Sequence, residues 1–455
     1  MNNYITVDSI IFIISNLLLA IYVFKNKNLN FKEKIAYTIF FIILNSSYNI
    51  MFVRIHQNNT VIPRTYIYKK KFIGPLTLLD IICLGFIFMN LKRFFIIIKD
   101  KFIAAHIIRA LGIYILGTFA FIIFNGYWLD NGNRFLIVSK GWVYSLATLI
   151  FTYKYLNKNI NLLYPFSIIL INGMISTQIV PITEIWIRYG HRVTILDQED
   201  AYTISNFVVI FLTIKCLYLK ENNKLHKIIN FLLLFFFLFQ NLYCVYKTNL
   251  IILLAFFVIY LILSKGKNGI ILITTFIGIP SGIIIFWNKI YGLISSVSIN
   301  TRQNQFLDCL QYMNTKGWIA NLFGLGISTP YYSTFVGDSG ERKSIDLANN
   351  LYAQNWRTDL QTPILSIFKD SGIFGMICFA IFTVYLLSKN WKMLKNVFAQ
   401  KNKEYIFTET VALGIVILIE TAYSIFFYCG TVTFAIFYTF CLAKFVINYK
   451  KMIKV

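Results

Sequence analysis

The sequence predicts an all-α polytopic membrane protein, and three observations carry that prediction. Of its 455 residues 57% are hydrophobic and 18% aromatic, with only 14% charged and a positive mean hydropathy, outside the range of soluble globular domains. Apolar runs of about 20 residues, the length a helix needs to cross the hydrocarbon, recur along the whole chain. Runs such as FLLLFFFLF (231–239) lack the alternation of a barrel strand. Lipid offers no partner to a backbone N–H or C=O, so such runs read as helices.

Helical spans are expected at 5–24, 34–53, 73–91, 102–125, 135–153, 160–180, 201–219, 227–246, 248–264, 268–287, 366–388, 406–428 and 430–448, about 12–14 in all. The chain then divides into 1–287, with the first ten spans and an outer loop at 181–200, a large hydrophilic loop at 288–360, and 361–455, with the last three spans and a tail. A net charge of +24 would point to nucleic acid in a soluble protein. Here the lysines lie between apolar runs, so no nucleic-acid partner is expected and the bilayer is. Most Lys and Arg fall in 25–34, 92–101, 154–158, 215–227, 265–267, 389–403 and the tail from 444. Cytoplasmic loops hold the basic excess, so these are expected inside, with 288–360 outside. The N-terminus, MNNYITVDS, has neither a basic region nor a cleavage site, so its run is expected to be a retained helix starting outside. Six of seven cysteines lie in or beside apolar runs and only Cys309 is in the large loop, which predicts no structural disulfide and no Cys-based metal site. There is no internal repeat of the kind that marks many secondary transporters.

Two stretches leave the membrane on the outer side. Residues 181–200, PITEIWIRYGHRVTILDQED, bring Glu184, Arg188, His191 and Arg192 close together, followed by Asp197, Glu199 and Asp200. On its residues this is either a solvated connector or a loop held at headgroup level by Trp186 and Tyr189. In the second case its guanidinium groups suit a lipid-linked anion, because they match phosphate oxygens two at a time and keep their charge. Residues 288–360 add Arg302, Arg342, Lys343 and Arg357 with Asp308, Asp338, Glu341, Asp346 and Asp359. Phe306, Leu310, Met313 and Trp318 recur at roughly helical spacing, which predicts one amphipathic helix over 302–322. Gly324 and Gly326 mark either its stop and turn or a close backbone approach to a ligand. The DSGIFG run at 370–375 reads as a helix start with small residues for packing. Within the apolar runs Asp80, His106, Arg109, Lys140 and Glu420 are ionisable exceptions, expected to face the bundle interior or a wet cavity. His106 and Arg109, one turn apart, are expected to snorkel to the inner surface instead.

The order of these features resembles the bacterial O-antigen polymerase and oligosaccharide repeat-unit polymerase family, relatives of the O-antigen ligases. The matching pieces are a dozen or so helices, an Arg-bearing outer loop in mid-chain, and a large outer loop. That loop runs from Arg302 through LFGLG (322–326) to TDLQTP (358–363) and then DSGIFG. The resemblance implies an enzyme that joins polyprenyl-diphosphate-linked oligosaccharide units into surface polysaccharide at the periplasmic face of the inner membrane, beside a flippase and a chain-length regulator. It implies Arg188, Arg192, Arg302 and Arg357 on the diphosphate, with Arg302 stabilising the charge that grows as the C–O bond breaks. His191, Glu184, Asp338 and Asp359 are candidate bases, and Gly324, Gly326, Tyr331, Tyr332 and Trp356 candidate walls of a sugar groove. No acidic metal cluster is evident and no cofactor is expected, so arginine takes the place of a cation. No histidine stands near the end of the large loop, where the ligases have one, which favours a polymerase. A ligase to the lipid A core and a non-enzymatic transporter of lipid-linked sugar are the competing expectations.

Overall fold

The computed structural model describes residues 2–47, 66–125, 128–178, 202–218, 224–243, scattered positions between 255 and 263, 297–327, 329–332, 356–357, 360, 363–400, 405–423 and 432–453. Its helices are α1 (Asn2–Lys25), α2 (Phe31–Ser47), α3 (Tyr66–Lys69), α4 (Leu78–Met89), α5 (Leu91–Ile97), α6 (Lys101–Asn125), α7 (Trp128–Tyr155), α8 (Leu163–Gln178), α9 (Tyr202–Tyr218), α10 (Lys224–Tyr243), α11 (Val297–Thr315), α12 (Trp318–Phe323), α13 (Pro363–Phe398), α14 (Tyr405–Tyr423) and α15 (Val432–Ile453). Two short antiparallel ribbons accompany them, β1 (Lys71–Ile73) with β2 (Leu76–Thr77) and β3 (Tyr331–Tyr332) with β4 (Trp356–Arg357). Among the described residues Val7–Lys25, Lys101–Phe124, Ile364–Phe398 and Tyr405–Ala422 are long and apolar enough to cross a bilayer. With shorter apolar stretches in α4, α8 and α9, they make this an all-helical membrane protein. The expected spans 248–264 and 268–287 lie outside the described residues, apart from the scattered positions.

Local chemistry sets the helix starts. Asn30 caps α2 reciprocally: its Oδ1 accepts from Glu33 N at 2.9 Å, and Glu33 Oε2 accepts from Asn30 N at 2.9 Å. Thr77 and Asp80 form the same box at α4. The ribbon β1–β2 takes up the first residues of the expected span 73–91, so this helix begins at Leu78. Two helices run past their expected ends. Residues 389–398 continue α13 and 449–453 continue α15, because lysines on a helix reach water along their stems without ending it.

α15 lies at the centre of the bundle and packs on α2, α7, α14 and, more lightly, α9 and α13. Residues 435–446 are buried without interruption, as expected of a helix apolar on every side. Lipid supplies no hydrophobic drive between helices, so packing and interhelical hydrogen bonds hold the bundle. Phe166 on α8 shows the packing: its ring lies 5.9 Å from Phe41, 5.3 Å from Phe207, 5.4 Å from Phe437 and 6.1 Å from Phe440, mostly edge to face. Asn45 shows the bonding. Its Nδ2 donates to Ser15 Oγ at 2.9 Å and Asn16 Oδ1 at 2.8 Å, and its Oδ1 accepts from Asn172 at 2.6 Å, joining α1, α2 and α8.

One end of the bundle gathers the basic segments. Tyr22 Oη and Tyr405 Oη donate to the carbonyl and side chain of Asn161 at 2.8 and 2.7 Å. Tyr37 Oη reaches Leu156 O and Lys158 O. Lys444 Nζ donates to the same two carbonyls, and Lys451 Nζ donates to Asn157 O. Lys444, expected in the tail, is fully buried, because the 156–162 loop offers it carbonyl oxygens inside the bundle.

Arg109 and His106 do not snorkel; both are fully buried. Arg109 Nη1 donates to Thr383 Oγ1 at 2.9 Å and Thr421 O at 2.8 Å, and its guanidinium lies 5.4 Å from the Phe379 ring centroid. It joins α6 to α13 and α14, where interhelical acceptors take the place of water.

Candidate functional site

Among the described residues of 288–360, LFGLG is seated on the apolar helices α6 and α13. The seat begins with a glycine that breaks what the sequence predicts as one helix over 302–322, and with a second that ends it where a stop is one of the two expectations. Gly317 has φ +91, separating α11 from α12, and Gly324 ends α12 at φ +85. Left-handed φ of this kind is open to glycine and strained for other residues. Trp318 consequently leaves the apolar stripe and is 70% exposed. Gln305, Cys309 and Met313 form the buried face of α11.

A third break lies in α13, where Gly372 adopts φ +62, ψ −158. DSGIFG is therefore the joint between two helices set end to end. A helix broken there leaves carbonyls before the break in need of donors, and LFGLG supplies them. Leu325 N donates to Lys369 O at 2.7 Å, and Gly326 N to Asp370 O at 3.2 Å. Ile327 N donates to Gly117 O of α6 at 3.1 Å.

The approach is as close as backbone permits. A Cβ on Gly324 would stand 2.4 Å from Ser371 N, on Gly326 2.3 Å from Phe121 Cα, and on Gly372 2.4 Å from Leu322 O. Gly324 and Gly326 thus allow a close backbone approach, and the partner is the protein's own α6 and α13. Phe323 adds its ring at 5.5 Å from Phe119 and 5.1 Å from Phe374.

Beneath this seat lies a buried ion pair. Lys369 Nζ is 2.8 Å from Asp370 Oδ1 and donates to Thr329 O at 3.2 Å, with side-chain exposures of 0% and 8% for the pair. Cys309, Met313, Ala320, Leu325, Tyr331 and Leu360 form a small core beside it. Burial there pushes the Cys309 thiol up to about 12, against the pull of Lys369.

The expected site residues distribute around this seat unevenly. Arg302 lies on α11, which packs against β3. Arg357 and Trp356 form β4, paired in register with Tyr331 and Tyr332. Both arginine-bearing segments therefore belong to the folded unit seated on α6 and α13. Tyr332 is 42% exposed, whereas Tyr331 is fully buried. Tyr331 is thus corrected from a groove wall to a core residue, since a ring enclosed by Cys309, Met313 and Leu325 offers no face to a sugar. Glu184, Arg188, His191, Arg192, Asp338 and Asp359 lie outside the described residues. Sequence reasoning missed Lys369, Gly117 and Phe121. Lys369 had a signal, a lysine–aspartate pair inside an apolar span; the other two are unremarkable helix residues. No protein-family model matches this chain, and no curated protein matches it.

A second ionic cluster lies on α4 and α7. Lys140 Nζ is 2.5 Å from Asp80 Oδ2 and donates to Pro75 O at 3.0 Å. Tyr144 donates to Asp80 Oδ1. With Asp80 also capping α4, this cluster ties the ribbon β1–β2 to the bundle, a structural use of two of the ionisable exceptions.

Proposed function

We propose that this protein is a metal-independent glycosyltransferase that polymerises polyprenyl-diphosphate-linked oligosaccharide repeat units into surface polysaccharide at the periplasmic face of a bacterial inner membrane. The observation that supports this reading is the seating of the Arg302 helix and the Arg357 strand, through LFGLG, on the ends of two apolar helices. A lipid-linked diphosphate lies at headgroup level, and a transferase must hold cations there rigidly while the glycosidic bond to the carrier breaks. Fixed donors act on developing charge without reorganising at the moment of reaction.

In this reading Arg302 and Arg357, joined by Arg188 and Arg192, bind the diphosphate. The non-reducing-end hydroxyl of one lipid-linked unit attacks the reducing-end sugar of the growing chain, and polyprenyl diphosphate departs. His191, Glu184, Asp338 or Asp359 takes the hydroxyl proton, and Tyr332 and Trp356 line the sugar path.

The test is polymer formation by the purified protein from lipid-linked repeat units in detergent, where no compartment exists for a transporter to fill. The wild type is expected to build a ladder. Arg302→Ala is expected to lower the rate roughly 10²- to 10³-fold at an unchanged melting temperature. Arg302→Lys should be nearly as slow if the contact is bidentate. A normal ladder from Arg302→Ala overturns the assignment. In cells, loss of a polymerase leaves a single capped repeat unit, whereas loss of a ligase leaves no cap.

A further inference from the structure

The end of the bundle opposite the LFGLG seat holds a basic pocket that the proposed reaction does not use. Lys101 opens α6 and Phe121, under LFGLG, lies twenty residues on, about 30 Å along a helix. Around Lys101, the side chains of Lys389, Lys392 and Asn396 from α13 and of Tyr449 and Lys450 from α15 enclose a cavity of about 230 Å³. Its one acid, Asp100, is taken by Lys450 at 2.6 Å, and Asn396 Nδ2 donates to Tyr449 Oη at 3.1 Å. Lys101, Lys389 and Lys392 have no ion pair among the described residues. Three lysines thus line one cavity without a counter-charge of their own among the described residues.

The level of the pocket decides what fills it. Lys101 is the first residue of an apolar span, which puts the cavity where hydrocarbon gives way to headgroups. Towards the membrane centre from Lys389 and Lys392, the side chains of Ile381, Val384 and Tyr385 are exposed. They stand four or eight residues before those lysines and so share their face of α13. An apolar stripe ending in a cluster of unpaired ammonium groups matches an acyl chain ending in a phosphate. The geometry points to a binding site for an anionic phospholipid, its phosphodiester among Lys101, Lys389 and Lys392 and its acyl chains on the α13 stripe. The lipid joins the ends of α6, α13 and α15.

The test is native mass spectrometry of the full-length protein after incubation with phosphatidylglycerol or phosphatidylcholine in mixed micelles. Wild type is expected to retain phosphatidylglycerol and not phosphatidylcholine. K389Q/K392Q is expected to retain about thirtyfold less. K25Q/K27Q removes two exposed lysines at the same end but outside the pocket, and is expected to bind as wild type does. Should K389Q/K392Q not fold, K101Q removes a charge from the opposite wall and is expected to show the same loss in smaller measure. Equal loss in K25Q/K27Q overturns the site in favour of general surface attraction, and full retention by K389Q/K392Q or K101Q overturns it outright. Displacement of the lipid by millimolar inorganic phosphate or pyrophosphate overturns the lipid assignment in favour of a soluble anion.

Discussion

Single residues separate strain that is used from strain that is not. Gly326 and Gly74 both have positive φ, +97 and +53. A Cβ at Gly74 meets nothing within 4 Å, whereas at Gly326 it would stand 2.3 Å from the Phe121 backbone. Gly74→Ala is therefore expected to cost only the left-handed penalty, about 1–2 kcal/mol. Gly326→Ala must also push α6 and LFGLG apart, and should lower the melting temperature of the purified protein well beyond that of Gly74→Ala. Equal shifts would mean that the seat is not tightly packed. Arg109 makes a different point. Removing its guanidinium strips a donor from Thr421 O and leaves a void among α6, α13 and α14, so Arg109→Ala is expected to destabilise by roughly 2–5 kcal/mol. Arg109→Met fills the void with apolar atoms and should lose less in the same thermal scan.

At the scale of elements, the joint in α13 and the loop that covers it depend on each other. The break at Gly372 leaves carbonyls that LFGLG must satisfy, and LFGLG keeps its course because those carbonyls receive its N–H groups and Gly117 O receives that of Ile327, the next residue. The buried pair Lys369–Asp370 lies at the centre of this arrangement. Asp370→Ala leaves an ammonium buried beside a lost partner, whereas Lys369→Met with Asp370→Ala removes both charges. The double variant is expected to be more stable than Asp370→Ala alone, with a coupling between the positions on the order of 1–3 kcal/mol in a double-mutant cycle. Additive effects would show that the pair is incidental to the seat. Neither half of this arrangement is legible from its own residues. DSGIFG reads as a plain helix start, and LFGLG as either a turn or a close approach to a ligand, until each is seen to supply what the other lacks.

At the scale of the whole molecule, the chain has two unlike ends. At one, tyrosines and lysines from α1, α2, α14 and α15 converge on residues 156–162, and the pocket of Lys101, Lys389 and Lys392 adjoins them. At the other, the unit of α11, α12 and the β3–β4 ribbon rests on α6 and α13. The proposed orientation, with the basic excess inside, puts the first end in the cytoplasm. In a cysteine-free background, an impermeant maleimide added to intact cells is therefore expected to label Lys316→Cys, beside α12, and to leave Lys27→Cys, in the exposed turn after α1, unlabelled until the cells are opened. The reverse pattern would invert the molecule and remove the periplasmic site.

The sequence by itself determined the membrane class and the helical secondary structure. Hydropathy accumulates over consecutive residues, and the bilayer converts a long apolar run into a helix whatever its neighbours are. Tertiary structure alone decided that Gly326 rests on Phe121, that Tyr331 is enclosed while Tyr332 is exposed, and that Arg109 binds Thr383 and Thr421 across three helices. The partners in the first and last of these contacts lie some 200 to 300 positions apart, and Tyr331 owes its burial to side chains of α11, α12 and Leu360. No run of consecutive residues encodes such meetings, because whether a glycine borders a ligand or another helix depends on what the rest of the chain brings to it.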